Sequence, residues 1–235
     1  MPVTAIAEPW PAAWPIVRRP SHAASSGDAV SEAERLIERC KAGDTTAFRD
    51  LFVLHRSDVQ RLVQRMLGGT SDLEDVVQEV FLQVYRSIKD FRGNARFTTW
   101  LYRLTVNVVL MHRRAARSRP AFTDSLESHD ARDSRPPPDE QVARMARIRA
   151  FYRLLDRLSD KKRIVFVLHE LEGLPPAEIA KVVGAPVLTV RTRLFYARRE
   201  LAQLLRDEPA LAALADAFVS EEIGAPLSEP RKESV

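Results

Sequence analysis

Residues 174–205, LPPAEIAKVVGAPVLTVRTRLFYARRELAQLL, constrain the fold more than any other stretch. They predict a helix that stops at Gly184-Ala185-Pro186, then a second helix bearing Arg191, Arg193, Arg198, Arg199 and Arg206 against a single Glu200. Val190, Leu194, Leu201 and Leu205 recur at helical spacing and give the second helix one apolar face, so its arginines lie elsewhere. Two helices joined by a tight glycine-bearing turn, the second basic, is how a helix-turn-helix places a recognition helix in a DNA major groove. Arg191, Thr192, Arg193, Phe195 and Tyr196 fall near the start of that helix, the end that meets base edges in this motif. Arginine bonds guanine through two hydrogen bonds, threonine bonds a base or a phosphate, and an aromatic ring packs on a thymine methyl. Arg198 and Arg199 are placed for phosphate contacts, which give affinity without sequence. The plainer alternative is a solvated arginine face on an ordinary helical hairpin.

The rest of the chain narrows the class. Its 235 residues suffice for one large or two small domains, and with only 8 glycines it favours long helices over many tight turns. A net charge of +4 permits a nucleic-acid partner without requiring one. The single cysteine, Cys40, excludes an internal disulfide and a cysteine-rich zinc site, and its register makes it a small core residue. No apolar run reaches the roughly 18 residues of a membrane span, and the first residues lack the pattern of a signal peptide, so the expectation is a cytoplasmic protein with no membrane insertion. His22, His55, His112, His129 and His169 are scattered, with neither metal-ligand spacing nor a phosphate loop nearby. No catalytic residue, metal or cofactor is therefore expected, and the chain reads as a non-enzyme.

The predicted architecture is all-α: two small helical domains joined by a flexible acidic linker, the second holding the helix-turn-helix. Residues 1–30, rich in Pro, Ala and Ser, read as a disordered arm that carries Trp10 and Trp14. Order begins at Ser31, where Ser31 and Glu34 form a capping box, and four helices follow through residue 118. Asp44 or Thr45 caps the second, Ser71 or Asp72 the third, and the fourth runs from about Thr98 to Arg117 with Trp100, Leu101, Leu104, Val108 and Met111 on its apolar side. Residues 119–140 hold six carboxylates against three arginines and four prolines, the composition of a linker. Helices resume over 141–206, and residues 207–235 form a tail.

Two upstream surfaces stand out. The stretch FRGNARFTTWLYRLTVNVV sets the aromatics Phe91, Phe97, Trp100 and Tyr102 among Arg92, Arg96 and Arg103, which suits single-stranded DNA, whose bases stack on rings or enter pockets. The third helix, DLEDVVQEVFLQVYRSI, turns Glu74, Asp75, Gln78, Glu79 and Gln83 outward, either as a solvated face or as a docking surface.

Together with AGDTTAFRDLF, these stretches in this order resemble the bacterial sigma factors of the extracytoplasmic-function group, in the sigma-70 family, over most of residues 31–206. The resemblance implies a promoter-specificity factor that binds RNA polymerase core and performs no chemistry itself. It places core binding on Asp75, Gln78, Glu79, Phe81, Leu82 and Tyr85. It places melting and reading of the minus-ten element on Arg92, Asn94, Ala95, Arg96, Phe97, Trp100, Arg103 and Asn107. Arg191, Thr192, Phe195 and Tyr196 match the positions that read the minus-thirty-five element as duplex. Tyr196 stands where some members carry arginine, so no promoter sequence transfers. The linker resembles the segment that threads the polymerase cleft, and an anti-sigma factor is the expected restraining partner. Two rival readings stand beside this one: a polymerase-independent regulator with a sensory bundle, which would bind duplex DNA tightly by itself, and a helical ligand-binding protein or enzyme.

Overall fold

The computed structural model describes residues 27–68, 72–118, 139–209 and 211. Among them every regular element is helical. The linker over 119–138, the arm before residue 27, Gly69, Ser71 and nearly all of the tail lie outside the described residues.

The amino-terminal module comprises α1 (Gly27–Lys41), α2 (Thr45–Leu67), α3 (Leu73–Ser87), a 3-10 turn (Ile88–Asp90) and α4 (Phe97–Ser118). Helix α1 starts four residues ahead of Ser31, so the expected capping box lies inside the helix rather than at its start. Asp44 caps α2 as predicted, its carboxylate accepting the N–H groups of Thr46 and Ala47. Hydrogen bonds from the Thr46 hydroxyl, the Ala47 N–H and Arg39 hold that carboxyl well below the usual carboxylate range. Asp72 occupies the cap position of α3 without a capping bond and instead faces His112 at 3.1 Å. Val59, Leu62 and Val63 of α2 meet Val77, Val80 and Val84 of α3 and Leu101 and Val109 of α4 in one core. Each such fully buried side chain contributes roughly 1.5–3 kcal/mol over its exposed state.

Helix α4 keeps most of its predicted face, with Leu101 and Val108 buried and Trp100 and Leu104 packed against the core. Thr99, Leu101, Tyr102, Thr105, Val106, Val108 and Val109 are buried, whereas Met111 is 56% exposed. The buried stripe is wider than the predicted one because α4 packs against α2 and α3 on one side and against the second module on the other.

The carboxy-terminal module comprises α5 (Asp139–Arg157), α6 (Asp160–Phe166), which runs on into a wider i→i+5 turn over Val167–Leu171, then α7 (Pro176–Val183) and α8 (Val187–Arg206). Phe151, Leu155, Phe166, Leu168, Ile179, Val190 and Leu201 form its core.

The two modules pack against each other. Helix α4 lies along α7, and the end of α2 meets the wide turn after α6. At this seam Glu172, fully buried, takes a 2.7 Å ion pair from Arg65, faces Arg61 at 3.6 Å and lies 3.5 Å from the Tyr102 hydroxyl. Arg65 also donates to the Leu171 carbonyl. Gly68 ends α2 with φ +78, and a Cβ there would stand 3.2 Å from the Tyr152 Cβ, so both the backbone angle and the close approach of α5 require glycine.

Candidate nucleic-acid interface

The helix-turn-helix is built as its sequence predicts. Pro176 opens α7 at a position where the missing N–H costs nothing. Gly184 ends it in the left-handed region at φ +63, with its N–H and that of Ala185 returning to the Ala180 carbonyl. Val190, Leu194, Ala197, Leu201 and Leu205 seat α8 on the core. Arg191, Thr192, Phe195, Tyr196 and Arg199 are thereby turned to solvent, and the Phe195 and Tyr196 rings meet edge to face at 5.3 Å. The Thr192 hydroxyl donates to the Leu188 carbonyl at 3.0 Å, which leaves its oxygen as an acceptor toward solvent. Leu188 itself is 73% exposed at the first turn of α8. It was missed in the sequence, although its place off the Val190–Leu194 face was the available signal.

Two arginines of this helix behave differently from the expectation. Arg198 bonds Glu170 at 2.7 Å, and the Glu170 carboxylate is nearly buried, so Arg198 fastens α8 to the preceding helical segment rather than standing free for phosphate. Arg193 is half-buried and lines a cleft toward the other module.

In the amino-terminal module the loop from Phe91 to Arg96 rests on an aromatic base. Phe91, Phe97 and Trp100 meet pairwise at 5.3–5.6 Å, His55 lies 5.2 Å from Phe97, and the Lys41 ammonium sits 5.5 Å over Phe91. Arg92, Asn94 and Arg96 project from that base into solvent, with Ala95 and Trp100 half-buried. Phe97 and Tyr102 correct the sequence reading. Both are buried, Phe97 within the aromatic base and Tyr102 against Glu172, so neither ring offers a face to a base. His55 is buried with neither ring nitrogen bonded, and burial outweighs the pull of Asp58 to push its pKa down.

Arg103 and Asn107 stand on the exposed side of α4, but that side looks across the cleft at Gly184, Ala185 and Arg193. The two surfaces expected to read DNA are thus unequal: the start of α8 is open, whereas the α4 surface is turned toward the other module.

On α3, Asp75, Gln78, Glu79, Leu82 and Tyr85 are exposed together, with Leu82 and Tyr85 at 48% and 55%. Phe81 is the exception and corrects the expectation: it is buried against Phe52 at 4.6 Å. The Tyr85 ring is steadied edge-on by Phe48 at 5.1 Å.

Among the described residues no His, Cys, Asp and Glu cluster could hold a metal ion, and no helix is long and apolar enough to cross a membrane.

Known family regions match within each of the two modules. Sigma-70 region 2 matches residues 51–119 and Sigma-70 region 4 matches residues 148–201. The chain is 35% identical over 173 residues to the ECF RNA polymerase sigma-E factor of Escherichia coli K12, covering 71% of this chain and 90% of the relative. The corresponding factor of Haemophilus influenzae is 36% identical over 173 residues, covering 70% of this chain and 90% of that protein. Among solved structures, CnrH in complex with the cytosolic domain of CnrY superposes with a TM-score of 0.56 at 25% identity, over 75% of this chain and 99% of that one. The sigma factor RpoE of Bartonella quintana, in complex with the anti-sigma factor NepR, shares the fold at TM-score 0.52 and 20% identity, over 68% of this chain and 98% of that one.

Proposed function

This chain belongs to the extracytoplasmic-function sigma factors of the sigma-70 family and directs promoter-specific transcription initiation with RNA polymerase; on that premise we propose how its residues divide the work. The observation that carries the proposal is the presence, on one chain, of an open recognition helix and a ring-supported basic loop on separate modules.

The module over 141–206 reads the minus-thirty-five element as duplex. Arg191, Thr192, Phe195 and Tyr196 meet base edges, Leu188 adds an apolar contact for a thymine methyl, and Arg199 meets phosphate. The module over 31–118 works on the minus-ten element after strand separation. Arg92, Asn94 and Arg96 hold the strand, Trp100 is the ring left for stacking, and Arg103 and Asn107 act along α4. The α3 face of Asp75, Gln78, Glu79, Leu82 and Tyr85 docks on core polymerase. Its two exposed apolar side chains set among acidic and amide groups fit an interface better than a purely solvated face.

Neither module carries chemistry of its own; the polymerase forms the bonds, and the chain is not an enzyme. Each DNA contact is weak alone, and mounting both on one polymerase raises the effective concentration of the second. Because α4 faces the helix-turn-helix across the cleft, the modules must part before both elements are read. The chain acts in the cytoplasm, and an anti-sigma factor restrains it. The similarity to CnrH, solved with the cytosolic domain of CnrY, supports that partner.

The test is run-off transcription with core polymerase on a genomic promoter library. The proposal expects the purified chain to co-purify with core and to start transcripts at a shared two-element motif. Tight duplex binding without core, and no initiation with it, would favour the polymerase-independent regulator.

A further inference from the structure

The seam between the modules is charged unevenly. On its attractive side Arg113 and Arg117 of α4 grip Asp160 of α6 at 2.9–3.0 Å, and Arg113 also reaches Asp156 at 2.8 Å. Arg163 is buried beside them, paired through one nitrogen to Asp156 while its Nε and Nη2 have no partner. Burial, and after it the neighbouring Arg113 cation, push the Arg163 guanidinium down to about 10.

Positive charge is concentrated in the adjoining cleft, a space of about 620 Å3 between α4 and the carboxy-terminal module. Arg103 and Arg114 enter from α4, Lys161 from α6 and Arg193 from α8. Among the described residues none of these four meets a carboxylate. Asp160, the acidic residue of the lining, has both oxygens committed to Arg113 and Arg117. Four cations with no carboxylate partner among the described residues line one partly enclosed space, and the field they make together concentrates anions there. The volume lies within the range of small-molecule sites, and the apolar lining of Val106, Leu110, Val182 and Val183 offers a body for an organic ligand.

We propose that this cleft is a binding site for a small phosphate-bearing anion, which bridges Arg103 and Arg114 to Lys161 and Arg193 and holds the two modules closed. A ligand that needs cations from both modules binds only the closed arrangement and shifts the population toward it. It also occupies Arg103 and keeps Asn107 turned inward, so it competes with the minus-ten strand. The competition, not the binding, rests on the chain being a promoter-specificity factor.

The experiment is isothermal titration of the full chain with inorganic tripolyphosphate, with GTP in a parallel arm, against sodium sulfate at matched ionic strength. One tripolyphosphate is expected to bind per chain. Arg114→Ala and Arg193→Ala, one from each module, should each weaken it at least tenfold, while Arg193→Lys stays within about threefold. Of the two positions, Arg114 is exposed and Arg193 half-buried at the cleft, and an unchanged far-UV spectrum and melting point verify the fold. GTP binding tighter than tripolyphosphate identifies a nucleotide seated on the apolar lining; equal affinity identifies the phosphate chain alone. Sulfate reproducing the effect, or affinity that ignores either module's substitution, overturns the bridge. If the chain directs initiation with core polymerase while tripolyphosphate does not bind, this inference alone fails.

Discussion

Helices α8 and α4 both present polar and basic side chains, yet they stand in opposite states. The start of α8 is open: Arg191, Thr192, Phe195 and Tyr196 face solvent with no element of the other module over them. The corresponding side of α4 lines the cleft, with Arg103 and Asn107 across from Gly184 and Arg193. On the proposed division of work, one surface is ready for duplex and the other is withheld, so duplex reading would need no rearrangement of the chain, whereas single-strand capture would need the modules apart.

The seam that withholds α4 is also where the largest effect is expected. Glu172→Ala leaves Arg65 buried without its carboxylate, and loss of one partner of a buried pair costs about 3–5 kcal/mol. Denaturant unfolding should show that loss together with a second, separate transition as the modules uncouple. A single transition at wild-type midpoint would mean that the seam holds nothing together.

Effects on the DNA surfaces come next. Arg191→Ala should cost about 1–3 kcal/mol in discrimination among promoters, read from competitive transcription, with no change in melting temperature. Asn107→Ala should leave duplex binding by the holoenzyme intact and shrink the permanganate-reactive bubble. Equal losses in both assays would remove the distinction between the open and withheld surfaces.

Arg198 and Arg199 sharpen the comparison within α8. Arg198→Ala strands the buried Glu170 carboxylate and should appear as a stability loss of about 1–3 kcal/mol. Arg199→Ala should spare stability and lower the salt slope of DNA binding by about 1. The smallest effect belongs to His55. Its folded pKa lies below the unfolded value of about 6.5, so the unfolded chain takes up a proton first as pH falls. Stability is therefore full above that value and lost below it, by at most about 1.4 kcal/mol per pH unit, and His55→Leu should flatten the profile between pH 7 and 5.

How far the sequence reached follows from which forces are local. The all-α class, the Asp44 cap, the Gly184 turn and the inner face of α8 were legible because caps, left-handed glycines and apolar periodicity act within a few residues. The buried Phe81, Phe97 and Tyr102 were not, since an aromatic at helical spacing reads alike as core or as surface until its neighbours are known. The Arg65–Glu172 pair spans 107 positions, and nothing near either residue names the other. The i, i+4 spacing of Arg61 and Arg65 at the edge of the α2 apolar face hinted only that some acid lay opposite. The tie of Arg198 to Glu170 was hidden for the same reason: its partner lies on another element.

The most direct measurement is the distance between labels on α4 and α8, for instance at the exposed Ala116 and Gln203 in a chain whose Cys40 is replaced, read by single-molecule energy transfer. The account predicts one short distance in the free chain, and one much longer distance in the complex with core polymerase and promoter. A long distance in the free chain, or a short one that persists during initiation, would contradict it.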